Sequence, residues 1–566
     1  MCQERTLGYL FMLMSSSVES GAGTFTFRPP SYDVFDTPFA YSIFKDKYSW
    51  DRTEDWSDTA RRVVTHVCAD RLPAATVNLL YQLICDRKFI PGGRYLYSAG
   101  RPYHSISNCF AFRAEDSREG WADAVYKATM CLMSGGGVGF DYSALRPEGA
   151  IIKKTGGTAT GPLALMQMIN EMGRHVMQGG SRRSAILATL HWTHPDVGKF
   201  LVLKNHSPTL KMAKATDLTF PLPMEMTNVS VNYDKAFFDA YEAGDAEARR
   251  VWALNCLQAF SSAEPGFSFN CSNSRESLRN ACGEFCTEDD SDRCNLGTLW
   301  IHRFQSDVEF KEAIEAATAF LLCGGIYSDY PMEKIKEVGI KNNRIGLGLG
   351  GVHEWLMLRG EDYVVTPELH TWCGIWRDTS DESAKKWAAK LGVNEPKGKR
   401  AVAPNGTVGI VAESTTGIEP LFCAAYSRRY LKDNKWHYQY VIDGAVKRLL
   451  KNGVPIEVIE RNDAYALDFE RRVSFQADIQ GYTDMGISST INMPAWGTET
   501  NNEASIDRKA EILLRYAPRL RGVTCYPDGC RGGQPLTKIS IEQARQNEGH
   551  VFLEEIRECT NGVCGI

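Results

Sequence analysis

Five cysteines stand in settings where sulfur could react. Cys109 lies in SNCF, Cys282 in NACGE and Cys294 in CNLGTL, while Cys559 and Cys564 close the chain as C-x4-C. Taken singly, each reads as a buried, inert thiol behaving as a small hydrophobe. The NACGE cluster resists that reading. In an extended or looped segment, residues i−2, i and i+2 point to one side. That would put the amide of Asn280, the thiol of Cys282 and the carboxylate of Glu284 on one face. Such a trio combines hydrogen bonding, sulfur chemistry and proton abstraction. The C-terminal pair could close a small disulfide. The stretch of roughly 29 residues from Cys530 to Cys559, taken as a flexible coil, spans about 30 Å. It could enter a distant cleft, exchange disulfides there and swing out again.

A second group of residues could hold an anion. In PNGTVGIVAESTTGIEP (404–420), Asn-Gly is a hairpin signal. Pro-Asn-Gly-Thr after a strand could equally turn backbone N–H groups outward near a helix start and cradle a phosphate. Three other patterns resemble ligand sites and fail on context. GLGLGG (346–351) resembles a dinucleotide turn, but its third glycine falls early and no βαβ unit with a ribose-binding acid follows, so it reads as close packing. GGGVG (135–139) follows a helix rather than a strand, which excludes a P-loop. His353-Glu354 lacks the second histidine of a zincin, and no Cys/His set has zinc spacing, so no metal ligands are expected.

These residues must be positioned by a large scaffold. The chain has 566 residues, 43% of them hydrophobic and 23% charged, which excludes disordered, collagen-like and coiled-coil classes. Its net charge of −5 gives no electrostatic footprint for bulk nucleic-acid or membrane binding. Seventeen cysteines are too many to be incidental and too odd in number to pair completely, so a cytoplasmic setting with mostly reduced thiols is expected. The apolar stretch Gly8–Met14 is too short to span a bilayer. Spacing predicts helices over 54–85, 119–133 and 161–178, with strands at NVSVNY (228–233), RIGLGL (344–349), RAVAP (400–404) and GVTCY (522–526). Alternating helices and short strands argue for an α/β barrel or sheet. The division expected is a mainly helical region over 1–90, a catalytic barrel over 91–530 and a C-terminal segment over 531–566. That last segment carries a flexible redox tail with some helix at Ile541–Asn547. The acidic stretch CTEDDSDR (286–293) reads as a solvated loop.

Over roughly residues 90–566 these segments resemble the ribonucleotide reductases. SNCF, GGGVGFDYSALRP, GGTATGP, QGGSRRSA, HPDVGKFLVLKN, NACGE, CNLGT, PNGT, TGIEP and ISSTINMP occur in that family's order. The resemblance implies a ten-stranded α/β barrel of two five-stranded parallel halves, with Cys282 at the tip of a central finger loop. It implies that Cys282 becomes a thiyl radical taking the 3′ hydrogen of a ribonucleotide, that Glu284 takes the 3′-hydroxyl proton and that Asn280 holds the reacting hydroxyls. Cys109 and Cys294 would supply the two electrons that replace the 2′-hydroxyl, and Cys559 and Cys564 would reduce the disulfide left behind. Pro404, Asn405, Gly406, Thr407 and Val408 match the loop holding substrate phosphates. Asn108 and Ser143 match positions lining the substrate site, and Asp116 and Ser117 match positions binding a specificity effector. The product would feed deoxyribonucleotide and DNA synthesis.

Within the family the resemblance is to class II, which uses adenosylcobalamin. Cys525 stands where class I enzymes have the first of two relay tyrosines, no Tyr-Tyr pair exists, and NGVCGI lacks a glycyl-radical pattern. PDGCRGGQPL also looks like class II. Three residues depart from the pattern: Ala281 for a proline, Asn405 for Ser or Thr, and Cys286 as an extra thiol. The partners implied are ribonucleotide substrates, dNTP or ATP specificity effectors, a thioredoxin- or glutaredoxin-type reductant and a second copy in a homodimer, with no membrane and no nucleic acid. No overall activity switch is expected. The alternatives are a class I-like large subunit needing a radical-generating partner, a nicotinamide or flavin oxidoreductase built on GLGLGG, and a catalytically dead nucleotide-binding protein.

Overall fold

The barrel is laid down in two runs of strands. After the short β1 (Phe89–Pro91) come β2 (Cys109–Arg113), β3 (Gly137–Asp141), β4 (Ile186–His191), β5 (Thr227–Tyr233) and β6 (Gly266–Phe269). From β2 to β6 each strand is parallel to the next. The second run contains β7 (Asp292–Trp300) parallel to β8 (Ile345–Gly350), and β9 (Thr490–Met493) parallel to β10 (Gly522–Pro527). The runs meet antiparallel at two seams, β2 against β7 and β6 against β10. The description rests on a computed structural model covering residues 17–553, apart from 21–22, 28–33, 179–181, 218–219, 272–274, 433–434, 531–535 and 548–549. Cys559 and Cys564 lie outside the described residues.

The fifth place of the second run is taken by 398–403, a ribbon too irregular to form a full strand. Ile345 N and Leu347 N donate to Gly398 O and Lys399 O at 2.9 Å each, and Ser488 N donates to Val402 O at 2.9 Å. The RAVAP strand is therefore reduced to a single parallel bridge, Val402 to Ile487, which closes the ring between β8 and β9. The expected ten-stranded α/β barrel with two parallel halves is present in this form. β1, antiparallel to β7, lies off the path of the ring.

Every residue of β3 and of β7 is buried. Burial on both faces is what parallel strands experience with helices outside and a filled interior. The helices predicted from spacing are Trp56–Cys68, Ala74–Cys85, Arg118–Met133 and Pro162–His175. Ser117 caps the third, its hydroxyl accepting from Gly120 N at 2.9 Å. Among the described residues no helix is long and apolar enough to cross a membrane.

Two expectations change. The acidic stretch 286–293 is a solvated loop only in part. Cys286 and Thr287 form a buried two-residue strand pairing with Leu278–Arg279, and Asp292 is fully buried. Asp292 accepts from Thr287 Oγ1 at 2.7 Å, Asn342 Nδ2 at 2.8 Å and Arg344 Nε at 3.1 Å. Asp292 stays inside because its carboxylate finds three donors, while 288–290 form a part-exposed turn as the loop reading expects. The C-terminal segment also differs from a free coil. Leu536–Ile539 and Val551–Leu553 add to opposite edges of the hairpin Ala425–Lys432/Lys435–Ile442. The helix Ile541–Asn547 lies between them in sequence. Much of the stretch reckoned from Cys530 as a coil is thus folded.

Candidate active site

The finger loop between β6 and β7 is threaded into the barrel by missing side chains. A Cβ on Gly139 would collide with the carbonyl oxygen of Arg279, and one on Gly486 would lie 2.6 Å from Gly283 O. The Gly-Val-Gly of β3 is therefore a groove for the finger, which accounts for a glycine run that has no nucleotide-loop context. At the tip, Gly283 N donates to Asn280 O at 3.2 Å, closing a turn, and Gly283 takes a φ of +82° that suits glycine. Asn280, Cys282 and Glu284 are thus brought together by a turn rather than by the alternation of an extended strand.

The turn presents its residues to a cavity of about 190 Å³ lined by Asn108, Cys109, Asn280, Cys282, Glu284 and the run Pro404–Val408. Cys109 and Cys294 face each other directly in the antiparallel register of the β2/β7 seam. Directly opposed residues there have Cα atoms roughly 4.5–5.5 Å apart, within the range a disulfide spans. Asn280 Nδ2 donates to Cys109 Sγ at 3.0 Å, and Cys109 Sγ lies 3.5 Å from Glu284 Oε1. Burial, joined by the neighbouring Glu284 carboxylate, pushes the Cys109 thiol well up, and burial does the same to Cys294; Cys282 is exposed to the cavities, and the surrounding protein with the Glu284 carboxylate pushes its thiol up as well. All three are therefore S–H groups at neutral pH. Burial also raises the Glu284 carboxyl. Glu284 Oε2 and Asn108 Oδ1 are buried with no hydrogen-bond partner among the described residues. Polar atoms left bare in this way are what a bound ligand satisfies.

Asn405, Gly406, Thr407 and Val408 open the short helix Gly406–Ala412. Asn405 has a φ of +51°, and its side chain exchanges hydrogen bonds with Thr298 Oγ1 at 2.9 and 3.2 Å. That left-handed backbone suits asparagine far better than the β-branched threonine or serine of the usual pattern. Glycines 346 and 348 pack against Leu296 and Ala401, as the packing reading of GLGLGG expects.

Cys282 is open to a second cavity, of about 270 Å³, on the other side of the finger. Its lining includes Gly266, Ser268, Ser488, Ser489, Gly522, Thr524 and Tyr526. Cys525, on the opposite face of β10, is buried in the core. Ser143 lies in neither cavity: it closes on Asp141 at the end of β3 and accepts from His191 N at 2.9 Å. Asp116 and Ser117 line a third cavity, of about 410 Å³, with Arg146 and Thr158. Arg146 Nε contacts both Asp116 oxygens at 2.8 and 3.0 Å. Motif reading missed Tyr48, Gly92, Gly93 and Arg94, all on the wall of the first cavity. Their only sequence signal is a glycine pair before an arginine, shortly upstream of SNCF.

The profile described as ribonucleotide reductase, barrel domain, matches residues 107–256, 216–368 and 397–526. The chain belongs to the ribonucleotide reductases. Relatives in this family include a vitamin B12-dependent ribonucleoside-diphosphate reductase of Thermoplasma acidophilum, 26% identical and covering 84% of this chain and 68% of its own. One of the same description from Mycobacterium tuberculosis is 26% identical over 81% of this chain and 73% of its own. A putative adenosylcobalamin-dependent ribonucleoside-triphosphate reductase of Mycobacterium phage D29 is 26% identical, over 81% and 76%. The solved alpha subunit of a class Id ribonucleotide reductase from Actinobacillus ureae superposes with a TM-score of 0.69 at 14% identity, covering 89% of this reductase and 99% of that chain. That likeness is one of fold.

Proposed function

We propose that this reductase converts ribonucleotides to 2′-deoxyribonucleotides with adenosylcobalamin as radical source. The observation that carries the reading is the position of Cys282 on the wall shared by two cavities. One is lined by Glu284, by Cys109 with Cys294 opposite it in the strand seam, and by the loop Pro404–Val408. The other, about 270 Å³ and open to the outside, has room for part of a large organic group. It is walled by small residues, Ser268 Oγ is buried there without a partner among the described residues, and a Cβ on Gly266 would press to 3.0 Å from Ser230 Oγ. Gly266, Ser268, Ser488, Ser489 and Tyr526 would hold adenosylcobalamin. When bound, that group supplies the radical.

The rest is the work of the chain. The Cys282 sulfur takes the 3′ hydrogen, Glu284 accepts the 3′-hydroxyl proton, and Asn280 orients the hydroxyls. The 2′-hydroxyl then leaves as water. Cys109 and Cys294 give up two protons and two electrons and become a disulfide, so a ribonucleotide and a dithiol yield a deoxyribonucleotide, a disulfide and water. Cys282 finally returns the 3′ hydrogen. Pro404–Val408 and Asn108 hold the substrate, Asp116 and Ser117 a dNTP or ATP effector, and Cys559 and Cys564 reload the dithiol from a thioredoxin- or glutaredoxin-type protein. A homodimer in the cytoplasm is the setting this chemistry fits. Anaerobic turnover of each nucleotide with and without adenosylcobalamin tests the reading. Product only with the cofactor supports it, and product that instead requires a second radical-generating protein overturns it.

A further inference from the structure

The short helix Gly406–Ala412, which the loop Pro404–Val408 opens, is gripped at both ends. At its start Asn405 exchanges hydrogen bonds with Thr298 of β7. At its end three consecutive carbonyl oxygens each receive an arginine. Arg87 Nη1 donates to Val411 O at 3.0 Å, Arg303 Nη2 to Ala412 O at 2.8 Å and Arg448 Nη2 to Glu413 O. The three arginines come from separate parts of the chain. Arg87 precedes β1, Arg303 closes the helical turn Ile301–Arg303 that follows β7, and Arg448 lies in the helix Gly444–Lys451 beyond the hairpin. The last carbonyls of a helix have no partner within it, and cations are favoured at that end.

Two of the three have a second reason to be there. Arg87 Nη1 also donates to Glu413 Oε2 at 2.7 Å, and Arg448 Nε and Nη2 hold the two Glu354 oxygens at 2.9 Å each. These ion pairs join distant segments and would support the fold whatever the loop does. Arg303 differs. Among the described residues it forms no direct ion pair, its Nε is buried without a hydrogen-bond partner, and its guanidinium holds Ala412 O. The surrounding protein, with the Arg87 and Arg448 charges, pulls it below the usual guanidinium range. A third cation in this place costs electrostatic energy. What it gives in return is registration. With Thr298 at one end of the helix and Arg303 at the other, the loop is indexed to β7, the strand that carries Cys294 opposite Cys109.

We propose that Arg303 is a positioning residue, setting where Pro404–Val408 stands relative to the Cys109–Cys294 seam so that a ribose held at the finger meets the loop with its phosphates. This rests on the assignment of the cavity to ribonucleotide reduction. The test compares wild type, Arg303→Met and Arg303→Lys in the full chain. It measures binding of one ribonucleotide and of its phosphate-free nucleoside by equilibrium dialysis, KM and kcat with adenosylcobalamin and dithiothreitol, and the melting temperature. Methionine keeps much of the side chain's bulk and removes the donor. Arg303→Met is expected to weaken nucleotide binding and raise KM by about tenfold, with kcat changed less than about threefold and nucleoside binding unchanged. Its melting temperature is expected within about 2 °C of wild type, since the lost hydrogen bond is offset by relief among the three cations. Arg303→Lys keeps a single donor and is expected to recover part of the affinity. Wild-type nucleotide affinity in Arg303→Met, a loss shared equally by the nucleoside, or a lysine variant no better than the methionine one overturns the proposal. So does an Arg303→Met protein that fails to fold or melts far below wild type, which would make the arginine a support of the fold. Nucleotide binding that depends on Arg303 in a protein that never yields deoxyribonucleotide would keep this inference and overturn the reaction instead.

Discussion

The cavity around Cys282 and the cavity beside Asp116 treat charge in opposite ways. Around Cys282 the walls are buried strands and a threaded loop, and the surrounding protein pushes the thiols of Cys109, Cys282 and Cys294 and the carboxyl of Glu284 toward their protonated forms. Beside Asp116 the ion pair to Arg146 is about one-third exposed on each side chain, 33% and 37%. Such a pair contributes about 0–1 kcal/mol and can be exchanged for contacts to a ligand at small cost. The first cavity is lined by groups whose surroundings hold hydrogen on sulfur and protons on a carboxyl. The second is lined by an ion pair that solvent already reaches. Disturbing the first should therefore stop chemistry, and disturbing the second should redirect it.

Cys282→Ala is the sharpest break. It removes the sulfur common to both inner cavities and is expected to lower deoxyribonucleotide formation by at least about 10⁴-fold while nucleotide binding by equilibrium dialysis stays intact. Glu284→Gln comes next, with a loss of about 10²–10⁴-fold in kcat. Because burial raises the Glu284 carboxyl, its basic form is populated only above the ordinary carboxylate range. Wild-type activity should fall on acidification through that raised value, and the glutamine variant should lack this limb. The same shift has a stability sign. A carboxyl raised by folding contributes stability that is present below its unfolded value, near 4.3, and lost as pH rises through the folded one. At pH 8 the glutamine variant should melt about 1–3 °C higher than wild type.

A backbone change makes the same comparison without touching a reactive group. Gly139→Ala puts a methyl group into the Arg279 carbonyl and must displace the finger. A loss of about 100-fold in kcat is expected, with effector binding by calorimetry unaltered. Asp116→Ala should have the smallest effect on rate, under about twofold. It should change the effector-dependent choice of base by about fivefold or more, read as product ratios from mixed nucleotides. An equal effect of both variants on rate would erase the distinction between the cavities.

The candidate residues that the fold brings together were legible because their types declare chemistry: thiols at Cys109, Cys282 and Cys294, an acid at Glu284, an amide at Asn280. The strands at 227–233, 345–350 and 522–527 were legible from β-branched and glycine runs. What escaped was set by long-range packing. Of the extended and looped alternatives for residues 280–284, the chain takes the loop, a turn at Asn280–Gly283, because the finger must reverse inside the ring. The ribbon 398–403 pairs on both sides without a strand's regularity. Asp292 stays buried because Thr287, Asn342 and Arg344 converge on it from three segments. Ser143 carries the right hydroxyl but spends it on Asp141 and His191. Arg94 gave no warning, since an arginine beside apolar residues usually lies on the surface, whereas here Ser98, the Ser105 carbonyl and the space left by Gly135 accommodate it inside.

The central claim is that the Cys282 sulfur faces the radical source on one side and the ribose on the other. The most direct measurement is release of tritium to water from adenosylcobalamin labelled at its 5′ carbon, with saturating effector and no substrate, in wild type and in Cys282→Ala. A thiol that exchanges its hydrogen with solvent and also reaches the cofactor carbon should wash the label out in the wild type, and the alanine variant should retain it. Washout at the wild-type rate in Cys282→Ala would contradict the account.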